Sequence, residues 1–172
     1  MMEISDVVSL LSEYGPTAFE SVLPRLLGVL GEAVVCRELK KQCDIEAEVC
    51  PGNKRSVDLL VGGTKLRIQV KTSQTGRFVT RLTQKGFNKP DVPDLWVLFL
   101  VGKNAPRFFI LTHEEICKAQ KARNEAYAGK CAQRGKQPDF SKGVDNIRVE
   151  DVKQYEGQWS KISDHNSCFR AR

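Results

Sequence analysis

The sequence predicts an α/β fold, and three patterns carry that expectation. Apolar residues at Phe19, Val22, Leu23, Leu26, Leu27, Leu30, Ala33 and Val34 recur at helical spacing. Two short apolar runs, one around Val57, Leu59, Leu60 and Val61 and one holding Leu66, Ile68 and Val70, flank a Gly62-Gly63-Thr64 turn, as in a β-hairpin. Asp94 to Val101 is a nearly continuous apolar run, as expected of a central strand buried on both faces.

The elements follow in order. Ser5 to Tyr14, with Val7, Val8, Leu10 and Leu11, predicts a short helix ended by Gly15-Pro16. Thr17 to Glu20 fits a capping box opening a second helix. Pro24 either kinks that helix or begins a longer one, since proline is favoured in a first turn. Gly28 and Gly31 permit close approach to a sheet. Ile45 to Val49 predicts a strand, and Pro51-Gly52-Asn53 a turn. Gly76 to Leu82 either extends the sheet or forms a loop. Arg107 to Leu111 predicts another strand. Thr112-His113-Glu114-Glu115 fits a second capping box, opening a helix through Ile116, Ala119, Ala122 and Ala126 that ends near Gly129. Residues 130–143 read as a basic loop, Ile147 and Val149 as a short edge strand, Glu150 to Ile162 as a last helix, and 163–172 as a flexible tail.

The chain has 172 residues, enough for one domain with a sizeable core, and no composition shift marks a boundary. Its 41% hydrophobic and 28% charged residues are ordinary for a globular protein. The net charge of +6 favours a polyanionic partner, nucleic acid before membrane, with an incidentally basic surface as the plain alternative. No apolar run is long enough to span a bilayer, and Met1 to Asp6 lacks the basic and apolar regions of an export signal. The expectation is a cytoplasmic protein with six reduced cysteines. No Cys-x-x-Cys pair is present, and His165 with Cys168 lacks a second ligand pair.

The hairpin carries the chemistry. Side chains alternate along a strand, so Leu66, Ile68 and Val70 face one way and Arg67, Gln69 and Lys71 the other. A carboxylate at Asp58 on the neighbouring strand then sits near an amide and an ammonium. Phosphodiester hydrolysis needs a cation on the phosphate oxygens and an activated water in line with the leaving oxygen, and hard cations prefer oxygen ligands. Asp58 and Gln69 offer such oxygens, and Lys71 a donor to phosphate. On spacing alone, a wet strand face with Asp58 as its counter-charge is an equal reading. A carboxylate among Val57, Leu59, Leu60 and Val61 is costly without a cationic or metal partner, which tilts the balance slightly. Glu32, among Gly31, Ala33 and Val34, is the preferred second carboxylate from the helix; Glu20 and Glu38 are its rivals.

Gly31-Glu32 on a helix, then Asp58, then Gln69-Val70-Lys71-Thr72-Ser73, resembles the PD-(D/E)XK or restriction-endonuclease-like superfamily. The resemblance covers about residues 17–130. It implies an αβββαβ core, a central mixed sheet flanked by helices. It also implies an endonuclease acting on DNA with Mg²⁺ or Mn²⁺, in which Asp58, Gln69 and Glu32 bind the cation and Lys71 is the catalytic lysine. Val57 stands where the motif has proline, and Gln69 where it has an acid, as in Mrr-type restriction enzymes and some intron homing endonucleases. The lost charge makes Glu32 matter more and leaves a second hypothesis, a catalytically silent nucleic-acid-binding or assembly module.

Candidate DNA contacts follow the motif at Thr72, Ser73, Gln74, Arg77, Arg81 and Lys85. Lys118, Lys121 and Arg123 open the densest basic region. The plain alternatives are a polar loop and a solvated helix face. Cutting both strands of a duplex takes two sites, which points to a homodimer or homo-oligomer, although no feature names an interface. A Cys-His nucleophile is disfavoured, because neither histidine has a cysteine and an orienting acid in a recognisable setting.

Overall fold

The computed structural model describes residues 16–50, 57–87, 92–102, 105–140 and 145–170, without the side chains of 16–22, Lys85 and Arg170. The helix expected at 5–14, the side chains of the first capping box and the turn at 51–53 lie outside the described residues.

Helix α1 (Pro16–Cys43) runs 28 residues, about 42 Å at 1.5 Å per residue. Pro24 lies within it and is not its start. The helix extends well past the apolar stripe that ends at Val34, because Val35, Leu39 and Cys43 continue that stripe into the core.

Strands β1 (Ala47–Val49), β2 (Leu59–Val61) and β3 (Arg67–Ser73) form an antiparallel meander, with Glu48 opposite Leu60 and Leu59 opposite Ile68. Strand β3 then pairs in parallel with β5 (Leu95–Leu100), which pairs antiparallel with β6 (Arg107–Thr112). The sheet is therefore mixed, in the order β1-β2-β3-β5-β6, and with its helices it agrees with the expected α/β class. Between the parallel strands lie β4 (Arg77–Val79) and the four-residue helix α2 (Leu82–Lys85). Strand β4 neither joins the central sheet nor stays a loop. It pairs with β7 (Asn146–Arg148) in a second, two-stranded sheet.

Alternation along the central strands divides the core in two. Ile68, Val70, Leu95, Val97, Phe99, Phe108 and Ile110 pack with Val35 and Leu39 of α1. Trp96, Leu98, Phe109 and Leu111 pack with Ile116 and Cys117 of α3 (His113–Gln133) and with Phe78 and Ile147 of the small sheet. Helix α3 opens on the expected capping box: Thr112 Oγ1 accepts from the Glu115 amide at 3.2 Å, and Glu115 Oε2 from the Thr112 amide at 2.8 Å. It continues past Gly129 to Gln133. Among the described residues, no helix is long and apolar enough to cross a membrane. None of the six cysteines is in a disulfide.

The C-terminal part departs from expectation. One helix over 150–162 becomes helix α4 (Val149–Val152), a 3-10 turn (Lys153–Tyr155) and helix α5 (Ser160–Arg170). The break has a cause at the outer edge of β6. Glu156 bridges to Phe109, and Gly157, in the left-handed region at φ 67°, donates its amide to the Phe108 carbonyl at 2.9 Å. The chain thus leaves the helix to cover exposed edge groups of the sheet. The flexible tail expected over 163–172 is instead helical through Arg170. Ile162 and Asn166 are buried and Phe169 packs on the α1 side of the core, one helical stripe that short-range composition hid. Lys161 joins this helix to α3 through a 2.6 Å ion pair with Glu115. Burial alone would raise the Glu115 carboxyl, but its bonds from Lys161 and Thr112 hold it below the ordinary range.

If α5 is packed, Phe169→Ala should lower stability by about 1–3 kcal/mol, since the ring is only partly buried. Urea unfolding followed by circular dichroism reads this directly; a midpoint equal to the parent's would return the segment to a loose tail.

Candidate functional site

The close crossing of α1 over β3 sets the site. A Cβ built on Gly31 would lie 1.8 Å from Thr72 Oγ1. No side chain fits at position 31 unless the helix or strand shifts. The next residue on α1, Glu32, is thereby brought within electrostatic reach of Asp58 and Lys71.

Asp58 immediately precedes β2. Extending the register of Leu59 with Ile68 by one step puts Asp58 opposite Gln69. Asp58 Oδ2 gathers three donors. The Val70 amide donates to it at 2.8 Å, the Gln69 side-chain amide donates to it, and Lys71 Nζ stands 4.0 Å away. Among the described residues no hydrogen bond reaches Asp58 Oδ1, Gln69 Oε1 or the Glu32 carboxylate. One side of the cluster is spent on positioning, and three oxygen-bearing groups keep capacity for a ligand.

Charge in the cluster is unbalanced. Burial is the first cause that raises the Glu32 carboxyl above its ordinary 4.5, the negative charge of Asp58 the second, and Lys71 opposes both. Among the described residues two carboxylates thus lie within reach of the Lys71 ammonium, and a cation would relieve them. Among the described residues no three His, Cys, Asp or Glu side chains gather as a metal-holding group. A cation at this point would rest on two carboxylates and the neutral oxygen of Gln69, a sparse but all-oxygen set suited to a hard ion.

The wet-face reading of β3 fails at Gln69, which is only 5% exposed. Arg67, on the same face, is bound to Asp94, which accepts from its backbone amide at 2.8 Å and its guanidinium at 3.3 Å. Glu38, a rival for Glu32, accepts from the side-chain amide of Gln42 at 3.2 Å, one turn along its own helix. The side chain of Glu20 lies outside the described residues.

The expected DNA contacts divide sharply. Thr72 and Ser73 are corrected. Thr72 Oγ1 is buried beneath Gly31, and Ser73 is buried with its Oγ accepting from the amides of Thr75 at 3.2 Å and Arg77 at 3.1 Å. Both hydroxyls shape the end of β3 and do not reach the surface. Arg123 is also spent internally, on Asp151 at 3.1 Å. Gln74, Arg77, Arg81 and Lys118 are exposed, and Lys121 lies over the Phe87 ring at 5.1 Å. The side chain of Lys85 lies outside the described residues.

One juxtaposition was missed. Residues one helical turn apart on α3 put Cys117 Sγ 3.4 Å from His113 Nε2. The imidazole is already engaged: the Trp96 indole donates to Nδ1 at 3.3 Å, and Nε2 lies 2.8 Å from the Phe87 carbonyl. Burial pushes the thiol up, the reverse of what activates a nucleophile. The pair is a packing contact.

Comparison with protein-family models, with curated proteins and with solved structures found no match for this chain.

Two outcomes test the site's construction. Gly31→Ala should destabilise the protein by about 1–3 kcal/mol through overpacking, read by chemical denaturation. Glu32 binds its proton more tightly folded than unfolded, so stability falls as pH rises from 4.5 through its raised value. Glu32→Gln should therefore raise the melting temperature at neutral pH, with the gain vanishing in acid below 4.5; an equal melting temperature across this range would contradict the crowded-carboxylate geometry.

Proposed function

We propose that the chain is a metal-dependent endonuclease that hydrolyses DNA phosphodiester bonds by water attack, at a site of the PD-(D/E)XK type. The observation that carries this reading is the cluster itself. Asp58, before β2, meets Gln69 and Lys71 of β3, and Glu32 of α1 lies within electrostatic reach of Asp58 and Lys71. The element order supports it: a helix, an antiparallel meander and a strand parallel to β3 agree with an αβββαβ core. The connecting helix of that core is here only the four residues of α2, and β6 and the small sheet are additions.

Glu32, Asp58 and Gln69 would hold a Mg²⁺ or Mn²⁺ ion, whose charge draws electron density from the phosphate and acidifies water. The residues do the rest. The bonds from Gln69 and Val70 hold Asp58 Oδ2 in place, leaving Oδ1 for binding. Lys71 is one residue past Val70 and points to the same face as Gln69, so its ammonium can donate to the phosphate oxygen on which charge builds during attack. Glu32, crowded by Asp58 and partly buried, would gain most from the cation's charge, and Lys71 would help to position the attacking water. Half-burial of the cluster keeps these interactions stronger than they would be in bulk water.

One observation favours a second reading. Gln69 and the Val70 amide hold Asp58 through hydrogen bonds that need no ion. A catalytically silent DNA-binding module on the same scaffold would keep those bonds and cleave nothing.

Purified protein incubated with plasmid, single-stranded and branched DNA decides between them. The nuclease reading expects cleavage with Mg²⁺ or Mn²⁺ and none with chelator. Asp58→Ala should abolish cleavage, and Lys71→Ala should lower its rate about 100-fold or more. Chelator-indifferent DNA retention without cleavage, unchanged by Asp58→Ala, would establish the silent module. As an independent measure, Mg²⁺ should raise the melting temperature of the parent and not of Asp58→Ala.

A further inference from the structure

Where β3 and β5 end, the chain forms an open cleft of about 530 Å³, bordered by Gln74, Arg77, Arg107, Arg148 and Glu150. Arg77 and Arg148 are directly opposite each other on the antiparallel pair β4 and β7. Phe78 and Ile147, the next residues along, are buried in the core, so alternation turns both arginines outward. Residues directly opposite on such a pair have Cβ atoms about 5 Å apart, and like charges there are destabilising. Among the described residues neither guanidinium has an ion pair or a hydrogen bond. Arg107, by contrast, is neutralised by a two-bond pair with Glu156, at 2.7 and 2.6 Å. Glu150 is the single acidic residue among the described lining. The fold thus holds two unmatched guanidinium groups side by side in a cleft, at an electrostatic cost.

We propose that Arg77 and Arg148 form a clamp for the phosphate backbone of a nucleic-acid strand. Guanidinium is the side chain suited to this role, because its planar fork meets two phosphate oxygens at once. The cleft also begins close to the proposed catalytic cluster along the chain. Gln74, at the cleft's edge, is the first residue past β3 and three residues beyond Lys71 in the chain. That is about 10 Å at roughly 3.3 Å per residue, or about three base-pair rises of a duplex. The cleft's edge at Gln74 therefore lies within a few nucleotide lengths of Lys71. The inference rests on the nucleic-acid partner of the proposed function, but not on its catalysis. The sequence alone conceals it, because Arg148 comes to Arg77 only through the pairing of β4 with β7.

The test is binding by the full chain to a fluorescently labelled DNA oligonucleotide, by anisotropy across a salt series, with chelator present to prevent cleavage. Arg77→Ala with Arg148→Ala should weaken binding at least tenfold and lower the log–log salt slope by about two, one for each phosphate that is no longer neutralised. The melting temperature of this variant should be unchanged or higher, since a repulsion has been removed. Lys153→Ala, an exposed cation elsewhere, should leave affinity as it was. Should the double variant fail to fold, Arg148→Ala alone must weaken binding several-fold. Parental affinity and slope in either arginine variant would overturn the clamp. So would absence of DNA binding by the parent together with arginine-dependent binding to anionic phospholipid vesicles. A parent that binds DNA through this pair yet never cleaves it would support the clamp and overturn only the nuclease.

Discussion

A missing side chain at Gly31 lets α1 lie directly on β3, and the arrangement of the cluster depends on that contact. The helix could cross the sheet at many heights. At this one, a strand threonine takes the space where any other residue would carry its Cβ. The crossing then fixes Glu32, the one cluster residue supplied from outside the hairpin. Asp58, Gln69 and Lys71 come together through strand pairing alone. Glu32 joins them only because the helix is held close. The contact has a cost: the Thr72 hydroxyl is buried there without a hydrogen bond.

The cluster is also organised around keeping one carboxylate in place. Asp58 is held by a backbone amide and a side-chain amide, both neutral, with an ammonium further off. Neutral donors orient an acid without cancelling its charge, so Asp58 stays attractive to a cation and unwelcome to Glu32. Burial first, and then the charge of Asp58, raise the Glu32 carboxyl, against the pull of Lys71. Such crowding works against stability, and a bound cation would offset it. A glutamate in place of Gln69 would add a third negative charge to the same space, and the neutral amide is the milder solution for a site with two acids already.

Much of this was legible in the residues. The hairpin register followed from alternation about a glycine turn, the buried strand from its continuous apolar run, and the start of α3 from its capping box. Asp58, Gln69 and Lys71 could be placed together because pairing across a short turn is local. Glu32 could be favoured only weakly, since the height at which α1 crosses β3 is decided by packing. The errors have a common origin. Thr72 and Ser73 look like surface residues because they are small and polar, yet the first is covered by α1 and the second ties down its own turn. Residues 163–170 look loose because Ile162, Asn166 and Phe169 are too few to announce a helix, and their burial depends on α1 and β6. The partner of β4 was unreadable because it lies far along the chain.

That long pairing has a consequence for how the molecule is built. The buried Asp145 carboxylate accepts from Thr83 and Gln84, more than sixty residues earlier, and β7 follows immediately. The hairpin, α1 and β5 hold all four cluster residues and are complete once synthesis has passed the middle of the chain. The grooved end of the molecule has to wait for nearly the last thirty residues. Closing so long a loop costs conformational entropy that only the finished contacts return. A chain cut short before residue 145 would lose β7, and with it the pairing that sets Arg148 beside Arg77, together with Ile147, Val152 and Ile162 from the two cores.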